Sequence, residues 1–244
     1  MFELAVVVAA LAGPLTPPAG AVGSSYKTLD QVEPRTAIES LPFTITQPGS
    51  YYLTGDLSSA GNGIIVNASD VTIDLMGFTI TGSDPTQFSG IEQVFPFGNK
   101  NLTVRNGTVR NFDDGVVAFT GSFEGYGITF ENLRVIDVTS RGIAAGASNC
   151  LIVNCYARQV GAGTGVFGGE GLGCVGGVIV NCRASGFSGG IIVNQGVMSN
   201  CHASDNDFGI QCIDGVVNGC VSTDSATQNL FLAGSAISVD TLAP

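Results

Sequence analysis

The chain has no tryptophan, one histidine, three methionines and only nine Lys and Arg residues against twenty Asp and Glu. Each shortage closes off a class of function. At a formal net charge of −11, nine cations spread over 244 residues cannot neutralise a phosphate backbone, which excludes a nucleic-acid partner. One histidine gives no nucleophile triad to argue from, and no phosphate-loop sequence occurs. Charged residues make up 12% of the chain, too few to clothe the outer faces of helices. The longest early apolar run, residues 5–12, is too short to cross a bilayer, and no other segment is longer, so no membrane span is expected.

That run is followed by small residues ending in Ala19-Gly20-Ala21, an A-x-A site. Residues 1–21 therefore read as a secretory signal peptide cut after Ala21. The mature chain is expected to be secreted, residing outside the cell, in the periplasm or at the cell surface. Residues 22–42, polar and irregular with a weakly helical piece over 36–40, read as an N-terminal cap, and residues 236–244 as a C-terminal tail.

What is abundant is glycine, 35 residues of it, together with short Val, Ile and Thr runs between Gly, Asn, Asp and Ser. The pattern repeats. Gly190-Ile191-Ile192-Val193 with Asn200-Cys201-His202-Ala203 recurs 19 residues later as Gly209-Ile210-Gln211-Cys212 with Gly219-Cys220-Val221-Ser222. Starts at Gly63, Gly90, Gly115, Gly142, Gly165, Gly190 and Gly209, with a degenerate one at Asn229, give about eight units. A unit of this length cannot bury its own apolar face and must stack on its neighbours. A second strand ends near Asn106, Asn132, Asn154, Asn181 and Asn200, and a short third strand follows at once. The fold class is all-β, a single-stranded right-handed parallel β-helix over residues 43–235, with left-handed bends at the Asn positions.

The run from Pro48 through Leu57, then Gly63-Ile64-Ile65-Val66, then Val71 through Ile80, resembles the opening of secreted bacterial right-handed β-helix repeat proteins of the pectin-lyase-like superfamily. The resemblance covers about residues 40–235. It implies the fold, and leaves activity open among lyases, hydrolases, epimerases and non-catalytic members. It also implies that catalytic groups of the polysaccharide-cleaving members would lie on the outward first-strand face. Their Asp motifs fall at the junction occupied here by Asn111-Phe112-Asp113-Asp114-Gly115. The catalytic candidates are therefore Asp113 and Asp114, Arg141 one coil later, and Glu124 in the intervening loop. The G-H-G and R-I-K motifs of the hydrolases are absent. Asp and Asn at bends also bond their own backbone, and an Asp114–Arg141 salt bridge between coils accounts for the same residues.

Strand alternation assigns the remaining columns. Cys155, Cys182, Cys201 and Cys220 fall one above the other inside, below Leu133. They read as buried thiols, or as disulfides between neighbours such as Cys155–Cys182 or Cys201–Cys220; spacings of 27 and 19 match no zinc pattern. The outward third-strand row carries Arg134, Tyr156, Arg183 and His202, either solvated decoration or a strip that binds sugar or carboxylate. The outward first-strand row is mainly apolar, with Ile65, Val117, Phe167, Ile192 and Phe231, and Val178 and Val180 face outward on the second strand. Such a wall predicts homo-oligomerisation or a covering loop. Asp205-Asn206-Asp207 is a candidate Ca²⁺ loop, and nothing else points to a cofactor. Two functions follow from these readings. One is a non-catalytic extracellular or surface protein that contacts glycan. The other is a carbohydrate-active enzyme, a lyase, hydrolase or epimerase, acting on an extracellular polysaccharide.

Overall fold

Short β-branched runs between residues that tolerate left-handed backbone can only build short strands, and that is what forms. The structure, a computed structural model, describes residues 34–93, 100–119, 127–146, 149–159 and 169–243. All the strands named there pair in parallel. There is no helix among the described residues, hence none long and apolar enough to cross a membrane. Arg35–Pro244 forms one compact unit. The chain is a parallel β-helix.

First strands stack into a nine-stranded sheet running from Phe43–Ile45 through Ile143–Gly146 and Glu170–Val175 to Gln228–Ala233. Second and third strands share a sixteen-stranded sheet, joined because Leu102–Arg110 and Thr129–Val138 run unbroken through their bends. Residues pointing inward form the core. Ile64, Val116, Ile143, Leu172, Ile191 and Ile210 from first strands meet Val104, Phe130, Ile152, Ile179, Met198 and Val217 from second strands, all fully buried. Each such side chain contributes about 1.5–3 kcal/mol relative to exposure.

The bend after the second strand is left-handed at Asn106, Asn132, Asn154, Asn181 and Asn200, with φ between 52° and 59°. Their amides form a ladder. Asn181 donates to Asn154 at 3.3 Å, Asn154 to Asn132 at 3.3 Å, Asn132 to Asn106 at 3.2 Å, and Asn106 to Asp74 at 3.2 Å. The other two bends use the same device with mixed residues, Asn101, Asn149, Gln195 and Asp214 before the second strand and Asn111, Asp137, Asp205 and Asp224 after the third.

Four expectations are corrected. The coil expected to start at Gly165 starts at Gly171, because Ile143 pairs with Leu172 and Leu172 with Ile191. Packing explains the register. A Cβ at Gly63, Gly90, Gly115, Gly142, Gly171 or Gly190 would strike the carbonyl of the glycine one coil on, so the junction needs glycine in every coil, and Gly171 lies in that column. Thr36–Ile38, read as weakly helical, is a strand because it pairs with Tyr51–Leu53. Ile237–Val239, read as tail, pairs with Val216–Asn218 and continues the sheet. The fourth is the disulfide alternative for the stacked cysteines, where the buried-thiol reading holds instead. Cys155, Cys182, Cys201 and Cys220 do stack inside, but as free thiols. Each donates to the carbonyl two residues before it, at 3.1 to 3.4 Å, rather than bonding to the next sulfur. The disulfide joins Cys150 and Cys174, with Cα atoms 6.5 Å apart.

Candidate functional site

At the junction preceding each first strand, the register places Asp114, Arg141 and Glu170 in one column on successive coils. Arg141 grips Asp114 with two charge-assisted bonds, Nε to Oδ1 at 2.9 Å and Nη2 to Oδ2 at 2.6 Å, and its backbone N–H adds a third at 3.1 Å. That hydrogen-bonded carboxylate holds the Arg141 guanidinium above its ordinary pKa. Asp113 does not join them. Its Oδ1 accepts from the Thr139 hydroxyl at 2.7 Å, and its backbone carbonyl receives the Ser140 N–H at 2.9 Å, which ties the bend to the next coil. Glu124 lies outside the described residues. The expected catalytic set is thus an ion pair plus a bend-forming acid.

Sequence reasoning missed Glu170, since it placed the coil start six residues too early. The Glu170 carboxyl lies over Gly173, in space a Cβ there would fill. It faces a cavity of about 170 Å³ lined by Ala145, Ile192, Asn194 and Ile213. Burial pushes its pKa up, against the lowering pull of Arg141.

The same shift of register interrupts the first-strand part of the expected apolar wall. Gly173 occupies the row position assigned to Phe167, which lies outside the described residues. Val117 is buried at 6% exposure, so it offers no surface for a partner. Ile65, Ile192, Val178 and Val180 are half-buried and Phe231 is exposed, with Glu92 and Gln211 between them. The first-strand row is thus interrupted, whereas on the second strands Leu151, Val178, Val197, Val216 and Ile237 follow one another in register without a polar residue.

The third-strand strip stands as the alternation predicts. Arg134 pairs in register with Tyr156, Tyr156 with Arg183, Arg183 with His202 and His202 with Val221. Each coil supplies the same three-residue cell: an Asn of the ladder, a buried Leu or Cys, and an outward side chain. Asn132-Leu133-Arg134, Asn154-Cys155-Tyr156, Asn181-Cys182-Arg183 and Asn200-Cys201-His202 follow one another along the axis. Two shallow grooves result, of about 440 Å³ and 460 Å³, and Arg183 lines both. Arg134 rests over the Tyr156 ring, its Cζ 5.7 Å from the centroid, which holds ring and guanidinium together.

Charge separates this strip from the rest of the surface. Arg105 pairs with Asp74 at 3.0 Å, Arg110 and Arg158 both reach Asp137, and Arg141 holds Asp114. Arg134 and Arg183 are exposed and make no ion pair with any described residue. No group of three His, Cys, Asp or Glu among the described residues is placed to hold a metal ion. In the candidate Ca²⁺ loop the Asn206 side chain is committed to the fold: its Oδ1 accepts from Phe187 N–H at 3.0 Å, and its Nδ2 donates to the Ala184 carbonyl at 3.3 Å.

No protein-family model matches the chain, and no curated protein matches it in sequence. Among solved structures it is similar to the A-modules of two Azotobacter vinelandii mannuronan C-5 epimerases. With the AlgE4 module it shares 16% identity at a TM-score of 0.61, over 80% of this chain and 68% of the module. With the AlgE6 module it shares 15% identity at a TM-score of 0.59, over 80% and 67%. These likenesses establish the fold alone, a parallel β-helix.

Proposed function

We propose that this protein is an extracellular, non-catalytic β-helix that binds an acidic glycan along its third strands. One observation carries the reading. In a chain of net charge −11, Arg134 and Arg183 stand exposed, with no ion pair to any described residue, in the column that also carries Tyr156 and His202. Arginine binds carboxylates through two parallel N–H bonds, and a tyrosine ring stacks on the apolar face of a sugar. The ladder of asparagine amides along the groove wall adds hydrogen-bonding groups at one-coil intervals. The epimerase modules that share the fold are named for mannuronan, itself an acidic polysaccharide, which fits a glycan partner. The pairing-off of Asp113, Asp114 and Arg141 favours binding over chemistry.

The enzyme reading keeps one supporting observation, the column of Asp114, Arg141 and Glu170 beside a cavity on the first-strand face. One set of samples tests both. Isothermal titration with acidic and neutral oligosaccharides should show binding of acidic chains alone, lost in Arg134→Ala/Arg183→Ala and kept in Asp114→Asn. Assays for chain cleavage and for epimerisation should show no product. Turnover abolished by Asp114→Asn or Glu170→Gln would replace this reading with the enzyme.

A further inference from the structure

The spacing of the strip carries more than its charge. Parallel strands stack about 4.8 Å apart, so one coil advances by nearly one pyranose of an extended glycan. Along the column the outward side chains run Arg134, Tyr156, Arg183, His202, Val221. The two arginines therefore rise from strand positions two coils apart, roughly 10 Å along the axis. Between them stands Tyr156, half-buried, with Arg134 over its ring. A ring face is electron-rich and repels a carboxylate, while it accepts the C–H face of a neutral sugar.

Resting on the acidic-glycan reading above, we infer that the strip is spaced for a polymer with a disaccharide repeat, acid on one sugar and none on the next. The acid sugars meet Arg134 and Arg183. The neutral sugars meet Tyr156 and His202, with the asparagine ladder alongside to bond their hydroxyls. Val221 ends the polar part of the column, so the charged register spans Arg134 to His202. A polymer with acid on every sugar would bring a second carboxylate onto the Tyr156 ring face, with the Arg134 guanidinium shared between two acids.

The test moves one charge along the column without changing the total. Binding of a hyaluronan oligosaccharide, which carries one carboxylate per disaccharide, is measured at fixed ionic strength. The wild type is compared with Arg183→Ala, Arg183→Ala/Tyr156→Arg and Arg183→Ala/His202→Arg. A fully acidic oligomannuronate of equal length is run beside it, and circular dichroism confirms that each variant is folded. The expected result is binding by the wild type, a loss of about tenfold in Arg183→Ala, and no rescue when the charge is returned one coil to either side. Equal rescue by both relocated arginines would show that only total charge matters and would overturn the register. A wild type that binds the oligomannuronate but not hyaluronan overturns the alternating repeat and leaves the acidic-glycan reading standing. Failure to bind either acidic chain overturns both.

Discussion

Arg141 and Arg134 belong to the same turn of the helix, seven residues apart, yet they are put to opposite uses. Arg141 sits where the neighbouring coil presents Asp114, and its charge is spent on a bidentate bond 2.6 to 2.9 Å long. Arg134 sits where the neighbouring coil presents Tyr156 and no acid. In a solenoid the partner of a side chain is whatever occupies the same column one coil away. Column composition, not residue type, therefore decides whether a charge holds the fold together or faces outward for recognition. The junction is internally neutralised, and the strip is not.

The largest effect that would sharpen this contrast is at the junction. Asp114→Ala leaves a half-buried guanidinium without its carboxylate and should cost about 3 kcal/mol in chemical unfolding, with no change in glycan affinity. The strip should respond in the reverse way. Arg134→Ala/Arg183→Ala should weaken acidic-glycan binding about 100-fold, roughly 2.7 kcal/mol, while unfolding moves by less than about 0.5 kcal/mol. A smaller effect is expected at Tyr156→Ala, about 1 kcal/mol of affinity with an unchanged dependence on salt, because stacking is not screened. Comparable losses of stability at both sites would break the comparison.

The smallest effect concerns Glu170. Its carboxyl is raised above the ordinary 4.5, so the folded state holds the proton more tightly than the unfolded state does. Stability is then greatest below 4.5 and falls as pH rises through the folded value. Glu170→Gln removes that loss. Thermal melts should show a small gain in Tm for the variant at pH 7 and none in acid below that ordinary value. The thiol ladder supplies a control that the core is closed. The neighbouring sulfur and burial push Cys182 and Cys201 up to about 12, so native protein should resist alkylation at pH 8 and react only when unfolded.

How much of this was legible in the sequence depends on whether a column was marked by an unambiguous residue. The asparagines mark the bend after the second strand, so residue spacing alone puts the stack of Cys155 to Cys220 and the row from Arg134 to His202 in their correct register. The junction column is marked only by glycine, and over residues 161–173 glycine is too frequent to mark anything. Choosing Gly165 over Gly171 displaced one coil. With it went Glu170, the gap at Gly173, and the pairing of Cys174 with Cys150. Thr36–Ile38 and Ile237–Val239 were missed for a different reason: strands of three residues owe their structure to the sheet edge they join, not to local propensity.

The claim at the centre of this account is that glycan lies along the third strands, and a crystal structure with a bound acidic oligosaccharide tests it most directly. The account predicts a chain running parallel to the helix axis from Arg134 to His202, with carboxylates on Arg134 and Arg183 and a sugar face on Tyr156. Density across the first strands, with a carboxylate at Arg141 or a sugar beside Glu170, would contradict it.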